Sequence, residues 1–312
     1  MLSYKGSKQQ NADFIASEFK YRFPNSDIFI DLFGGSGSVS YHASKYFDKV
    51  IYNDIQKDIQ LTVESIFNGT FYTSLAISEF ISREQFFEAK DNHQTVRDGL
   101  IRSIWSYSGD LRSYAYHTER EKLTECFHNL VVKHIIDEND LDYILSFDGF
   151  EKWVSEKSDI LKDLNNLKTL ELKRSYIKRF NKFRLPHIEK YNGVKNVVVN
   201  DDLKKIQYFS QDYKNIELIK DSVIYCDIPY NTRERHYTGS EFNYYEFFQW
   251  MKDNKDYNIF YSEYGENASP DFPVAFEFSK NHSIAREYRE LKREVFCCTE
   301  DTYNRINNLQ IF

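Results

Sequence analysis

The sequence predicts an α/β protein with a seven-stranded, mostly parallel sheet, interrupted by a long, mainly helical insertion. Three observations predict it. A strand, a glycine turn, a helix and a second strand follow one another near the N-terminus. Short strands of β-branched and aromatic residues return only from Val197 onward. Between the two groups the pattern is polar and helical, without internal repeat. A strand–helix–strand unit calls for parallel pairing through a right-handed crossover, so both groups of strands belong to one open sheet.

In chain order, Ile28–Phe33 is the first strand, apolar and rich in β-formers. It runs into Gly34-Gly35-Ser36-Gly37, a helix over about 38–47 and a second strand, Val50–Asp54. Residues from about 56 to 145 read as polar helix, broken by an aromatic-rich loop, Trp105–Tyr114. A helix is expected over about 156–183, where Ile160, Leu164, Leu167, Leu170, Ile177 and Phe180 recur at helical spacing. Pro186 bounds it. Strands follow at Ile206–Phe209, Val223–Cys226, Asn258–Tyr261, Val274–Phe278 and Glu294–Cys298, with Val197–Val199 a short candidate and a helix over about 243–254.

Length and composition narrow the class. With 312 residues about two domains are expected, and 41% hydrophobic residues support a sizeable core. Only 11 glycines and 5 prolines argue against collagen-like repeats and long disordered linkers. No apolar run approaches the roughly 18 residues of a membrane span, and the opening residues MLSYKGSKQQ carry no apolar leader. The expectation is a soluble protein of the bacterial or phage-infected host cytoplasm, with no membrane partner. Cys126, Cys226, Cys297 and Cys298 form no CxxC pair, so no structural zinc is expected and the thiols are read as small buried apolar groups.

The net charge of −7 would not by itself suggest a nucleic-acid binder. Its distribution is uneven. Within residues 171–190, Lys173, Arg174, Lys178, Arg179, Lys182, Arg184 and Lys190 stand against only Glu171 and Glu189. A solvated helix face is the ordinary reading of such a run.

The chemistry-bearing residues gather at strand ends. Asp31, Asp54, Asp212 and Asp227 lie at or just beyond the carboxyl ends of expected strands, where open parallel sheets bind ligands. Singly, each is an ordinary cap or turn residue. Together they suit a ligand bearing hydroxyls, amino groups or positive charge, and suit a polyphosphate badly. Gly35-x-Gly37-x-x-Ser40 resembles a dinucleotide fingerprint, with Asp54 nineteen residues past Gly35. A tight structural turn is the alternative.

The second half of the chain supplies the deciding pattern, a strand Val223–Cys226 entering Asp227-Ile228-Pro229-Tyr230. This tetrapeptide resembles the Asp-Pro-Pro-Tyr motif of adenine-N6 methyltransferases, and the resemblance implies an adenine exocyclic amine as target, a poor nucleophile because its lone pair is delocalised into the ring. Asp227 can accept one hydrogen bond from that amine and the Ile228 carbonyl the other, preorganised where charge develops. Pro229 holds Ile228 extended and so aims its carbonyl. Tyr230 offers a flat face to a base taken out of the stack.

With Tyr4-Lys5-Gly6-Ser7-Lys8, Asp31-Leu32-Phe33-Gly34-Gly35-Ser36-Gly37 and Asn53-Asp54 in the same order, the chain resembles the Dam-like DNA adenine-N6 methyltransferases over nearly its whole length. The loop Trp105–Tyr114, the Leu/Lys/Arg helix over about 156–183 and Ser262-Glu263-Tyr264 resemble a phage and bacterial branch. Two positions depart from the family pattern, Ile228 in place of the first motif proline and Tyr4 in place of a tryptophan.

The resemblance implies a Rossmann-like methyltransferase fold with a C-terminal antiparallel strand, S-adenosylmethionine as methyl donor, no metal, and double-stranded DNA as partner. It also admits a companion restriction endonuclease. Residue by residue it implies cofactor contacts from Tyr4, Lys8, Asp31, Phe33, Gly35, Gly37, Asp54, Asp212 and Asp227, and catalysis by Asp227, Ile228, Pro229 and Tyr230. Residues 1–65 and 193–312 would form the catalytic domain, and 66–192 a target-recognition insertion. In that insertion Arg112 and Lys173, Arg174, Lys178, Arg179, Lys182 and Arg184 are candidate DNA contacts. Trp105, Tyr107 and Tyr114 could wedge into the base stack, although core packing is the ordinary role of each. Structured RNA as the substrate, a catalytically silent binding protein and, more distantly, a nicotinamide dehydrogenase are the competing readings. The dehydrogenase leaves Asp227–Tyr230 unexplained.

Overall fold

The computed structural model describes residues 1–133, 139–140, 143–144, 185–230, 242–281 and 291–309. The helix expected over 156–183, with Lys173, Arg174, Lys178, Arg179, Lys182 and Arg184, lies outside the described residues. The chain divides into two units. One joins Gly6–Gly69 to Val197–Phe312, and the other holds Thr70–Asn196 together with Leu2–Lys5. Among the described residues no helix is long and apolar enough to cross a membrane.

The first unit opens with α1 (Ala12–Arg22), β1 (Ile28–Asp31), α2 (Ser38–Ala43), β2 (Lys49–Asn53) and α3 (Lys57–Phe67). The second unit contributes α4 (Arg83–Asn92), α5 (Val96–Trp105), α6 (Glu121–His128) and α7 (Pro186–Lys195). The first unit then resumes with β3 (Ile206–Phe209), β4 (Val223–Cys226), α8 (Tyr244–Asp253), β5 (Asn258–Tyr264), β6 (Val274–Asn281), β7 (Leu291–Cys298) and α9 (Glu300–Leu309).

The strands form one seven-stranded sheet in the order β3-β2-β1-β4-β5-β7-β6. Pairing from β3 through β5 is parallel, while β7 runs antiparallel to both β5 and β6. This is the Rossmann-like, mostly parallel sheet with a C-terminal antiparallel strand. Its central strands are apolar on both faces because both faces are covered. Phe19 of α1 lies on one face, its ring centroid 5.8 Å from Phe29, 5.6 Å from Tyr225 and 5.0 Å from Phe260. Ile30, Ile224, Ile259, Tyr261 and Val295 point the other way, into a cluster closed by Phe247 and Met251 of α8. Truncating an aromatic buried like Phe19 typically costs about 3–5 kcal/mol.

Several boundaries move. β1 ends at Asp31 rather than Phe33, and α2 stops at Ala43 rather than reaching Phe47. β5, β6 and β7 run longer than their apolar cores. Val197–Val199 is not a strand: Val198 and Val199 are exposed, and Asn200 caps the turn that follows. All four cysteines are buried.

In the second unit, α4 and α5 each begin with a capping box, at Ser82/Gln85 and Thr95/Asp98. Trp105 closes α5 instead of standing in a loop. It is buried, stacked on His187 at 3.9 Å, and the Ser106–Tyr114 bridge pins the segment behind it. Tyr114 is likewise buried, its hydroxyl donating to Ile81 O at 2.7 Å. Packing therefore accounts for both side chains, whereas Tyr107 is exposed.

Candidate active site

The strand order reverses between β1 and β4, and in open α/β sheets the crevice outside the carboxyl ends at such a point receives the ligand. Asp31 ends β1, Asp54 follows β2 and Asp227 follows β4. Because β7 runs against its neighbours, it brings Glu294 into register with Tyr264 at the same edge.

The glycine turn is shaped by close approach. A Cβ on Gly34 would run into the Tyr52 ring, whose hydroxyl donates to Gly35 O at 2.8 Å. Gly37 sits at φ +72°, a left-handed conformation that glycine adopts without steric cost. The turn is fastened to β2: Gly35 N donates to Asp54 Oδ2 at 2.9 Å, and Gln56 N donates to Asp54 Oδ1 at 2.8 Å. Ser7 and Ser36 share a hydrogen bond of 2.9 Å, and Ser36 and Ser38 one of 2.7 Å, which ties the N-terminal segment to the turn.

Asp31 is buried beside this turn. Ser40 Oγ donates to its Oδ2 at 2.7 Å, and among the described residues Oδ1 has no hydrogen-bond partner. Burial pushes its carboxyl up to about 7. The Ser40 hydrogen bond opposes the shift, and the charges of Asp227 and Asp54 add to it. A buried carboxylate oxygen without a partner is costly, and a cationic or donor-bearing ligand removes the cost.

Asp227 is the hub. Lys8 Nζ donates to its Oδ1 at 2.5 Å and Ser262 Oγ at 3.0 Å, and Ser262 is held in turn by the Tyr225 hydroxyl at 2.9 Å. Among the described residues both side-chain hydrogen bonds of Asp227 fall on Oδ1, and 21% of its side chain remains exposed. Burial raises its carboxyl, the Lys8 ammonium draws it back and Glu294 pushes it up again. Lys8 also lies 3.2 Å from Glu294 Oε1 and 4.6 Å from the centre of the Tyr230 ring. Burial alone would lower the Lys8 ammonium. Asp227 and Glu294 outweigh that and hold it above its ordinary value, so it is a cation at neutral pH. The Tyr230 hydroxyl donates to Glu294, and its ring meets Tyr264 edge-on at 4.8 Å. Behind the motif the Tyr244 hydroxyl donates to Pro229 O at 2.7 Å, and Ile228 is buried in the core.

A family model, that of the D12 class N6 adenine-specific DNA methyltransferase, matches residues 4–283. The chain belongs to that family.

In this D12 class methyltransferase the structure brings together Lys8, Asp31, Gly35, Gly37, Asp54 and the segment Asp227–Tyr230 in one unit. Phe33 packs into the core, with ring centroids 5.4 Å from Tyr213 and 6.1 Å from Phe247. Asp212 caps the turn after β3, its Oδ1 accepting from Lys214 N at 2.9 Å. Tyr4 groups with the second unit, where Lys5 N donates to Gly109 O at 2.9 Å. The Lys8 ammonium ends on the motif aspartate. Glu294 and Tyr225 were not singled out. The signal for Glu294 was present: a carboxylate at the head of the apolar run Val295–Cys298, where burial demands a partner.

Proposed function

We propose that the methyltransferase modifies adenine N6 at a specific duplex DNA sequence, drawing the methyl group from S-adenosylmethionine and receiving the adenine turned out of the helix. The observation that carries this reading is the arrangement at Asp227, whose Oδ1 is engaged by Lys8 and Ser262 while Oδ2 remains as an acceptor. Asp227 Oδ2 accepts one hydrogen of the target amine and the Ile228 carbonyl the other, which favours a pyramidal nitrogen with an available lone pair. Pro229 fixes the direction of that carbonyl, and the Tyr244 hydroxyl steadies the next one. Tyr230 provides the surface on which the displaced base stacks.

The residues present fit the methyl donor. The unpartnered Oδ1 of buried Asp31 suits an ammonium group, Asp54 suits ribose hydroxyls, and the glycine turn allows close backbone approach. By family correspondence Tyr4, Lys8, Phe33, Gly35, Gly37 and Asp212 are further proposed cofactor contacts. When bound, the donor supplies a methyl group on a cationic sulfonium. The chain's contribution to an in-line transfer is then largely positioning.

Residues 66–192 are the proposed target-recognition insertion. An open groove of about 700 Å³ there is lined by Arg83, Tyr107, Tyr116, His117 and Arg120 among others. Such a mixture of guanidinium groups and aromatic rings suits a nucleic-acid backbone and its bases. Arg112 and the run Lys173–Arg184 are proposed phosphate contacts. Lys190, the described lysine of that basic stretch, is turned inward, its ammonium donating to Ser106 O at 2.5 Å and lowered by burial to about 8.

The test is single-turnover transfer of labelled methyl to duplex DNA, followed by nucleoside analysis. Label in N6-methyladenine at a defined sequence supports the reading. Label confined to structured RNA, or found on cytosine or protein, overturns it.

A further inference from the structure

We propose that Glu294 is a positioning residue for methyl transfer: from β7 it holds the Tyr230 hydroxyl and the Lys8 ammonium together, and so keeps Asp227 a strong acceptor. The proposal rests on the reading that Asp227 accepts the target amine.

Glu294 is only 2% exposed, and a carboxylate so placed needs compensation. It stands in register with Tyr264 of β5. Among the described residues it has two polar partners, both belonging to the site: Tyr230, which donates its hydroxyl, and Lys8, 3.2 Å away. Lys8 thus stands between two carboxylates, 2.5 Å from Asp227 and 3.2 Å from Glu294. An ammonium shared by two carboxylates withdraws less electron density from either. Without Glu294 the whole charge of Lys8 would fall on Asp227, and Asp227 would grip the adenine amine less strongly.

The second partner matters for geometry. Tyr230 follows the catalytic turn, and its ring is fixed at three places: the hydroxyl on Glu294, an edge on Tyr264 and a face beneath Lys8. Glu294 therefore anchors the stacking surface and tunes the acceptor from one carboxylate. Among the described residues the charged and titratable groups facing Asp227 and Glu294 are Lys8, Asp31, Tyr225, Cys226 and Tyr230, with the Ser262 hydroxyl on Asp227.

Glu294→Gln keeps the size of the side chain and an acceptor for Tyr230 while removing the charge. Single-turnover transfer should fall roughly tenfold or more, the change expected when one charge-assisted contact is weakened. Donor affinity by calorimetry should stay within a few-fold of wild type. The acid limb of the rate profile should move to lower pH, because a negative neighbour that held the Asp227 carboxyl up has gone. Glu294→Asp, which withdraws the charge by one methylene, should move the limb the same way by less, and serves if the glutamine variant does not fold. An acid limb that stays in place in a folded variant overturns the proposal, whatever the rate, since a purely structural role would slow the reaction without moving that limb. Wild-type protein that leaves adenine unmethylated defeats the underlying reading instead.

Discussion

The Gly35 amide donates to Asp54 Oδ2 across 2.9 Å, so the glycine turn and the end of the second strand move as one piece. With Gln56 N on Oδ1, the carboxylate organises two backbone segments. Asp54→Ala should therefore lose donor affinity twice over, through the missing acceptor and through a loosened turn. A loss of tenfold or more is expected, from contacts worth about 1.5–3 kcal/mol each. Calorimetry with S-adenosylmethionine checks it, and undiminished affinity would remove Asp54 from the cofactor site.

Asp31 couples stability to pH. Its folded carboxyl titrates at about 7, above the ordinary 3.8, so the folded protein holds a proton that the unfolded chain has released. That contribution is present below about pH 4 and is lost as pH rises through 7. Asp31→Asn should thus melt higher than wild type at pH 8, by up to about 4 kcal/mol of stability, and the gap should close near pH 4. The same variant should bind the methyl donor more weakly. Paired melts at the two pH values decide the point.

Asp227→Ala should nearly abolish transfer, since removal of one preorganised polar contact costs on the order of a hundredfold to a thousandfold. The fold should survive: Lys8 retains Glu294, and Val223–Cys226 stay buried. Tyr230→Ala should give a partial loss with donor affinity kept, because base stacking is worth roughly 1–3 kcal/mol. A folded Asp227→Ala protein methylating at the wild-type rate would sink the mechanism.

The basic run should act through phosphates. Replacing Lys178, Arg179 and Lys182 together by alanine should weaken binding to all DNA sequences about equally and flatten the salt dependence. An unchanged slope of log affinity against log salt would reduce the run to a solvated helix face.

The parts that were legible in the sequence have a local cause. β4 stands at the residues expected, because a strand covered on both faces is a continuous apolar run, and the edge strand β3 keeps its expected bounds through β-forming residues such as Ile206, Tyr208 and Phe209. Asp227–Tyr230 announced itself because its chemistry is confined to four adjacent residues. β7 begins at Leu291, three residues before the run Glu294–Cys298 that marks it in the sequence, since Lys292 and Arg293 continue the pairing with β6 without an apolar signal. Val197–Val199 looked like a strand from β-branching alone, which does not supply a neighbour to pair with. The contacts of Lys8 with Asp227 and Glu294 join residues at opposite ends of the sequence, and such contacts leave no local trace.

The pairing of β1 with β4, Phe29 with Val223 and Asp31 with Tyr225, also has a consequence for biosynthesis. At ordinary translation speeds of about 5–20 residues per second, roughly ten to forty seconds pass between the synthesis of Phe29 and that of Val223. For that interval β1 has one edge on β2 and the other bare, and a bare apolar edge recruits strands from neighbouring chains. The yield of folded protein from a crowded ribosome population is then governed by whatever shields Phe29 and Ile30 until the second half of the sheet is made.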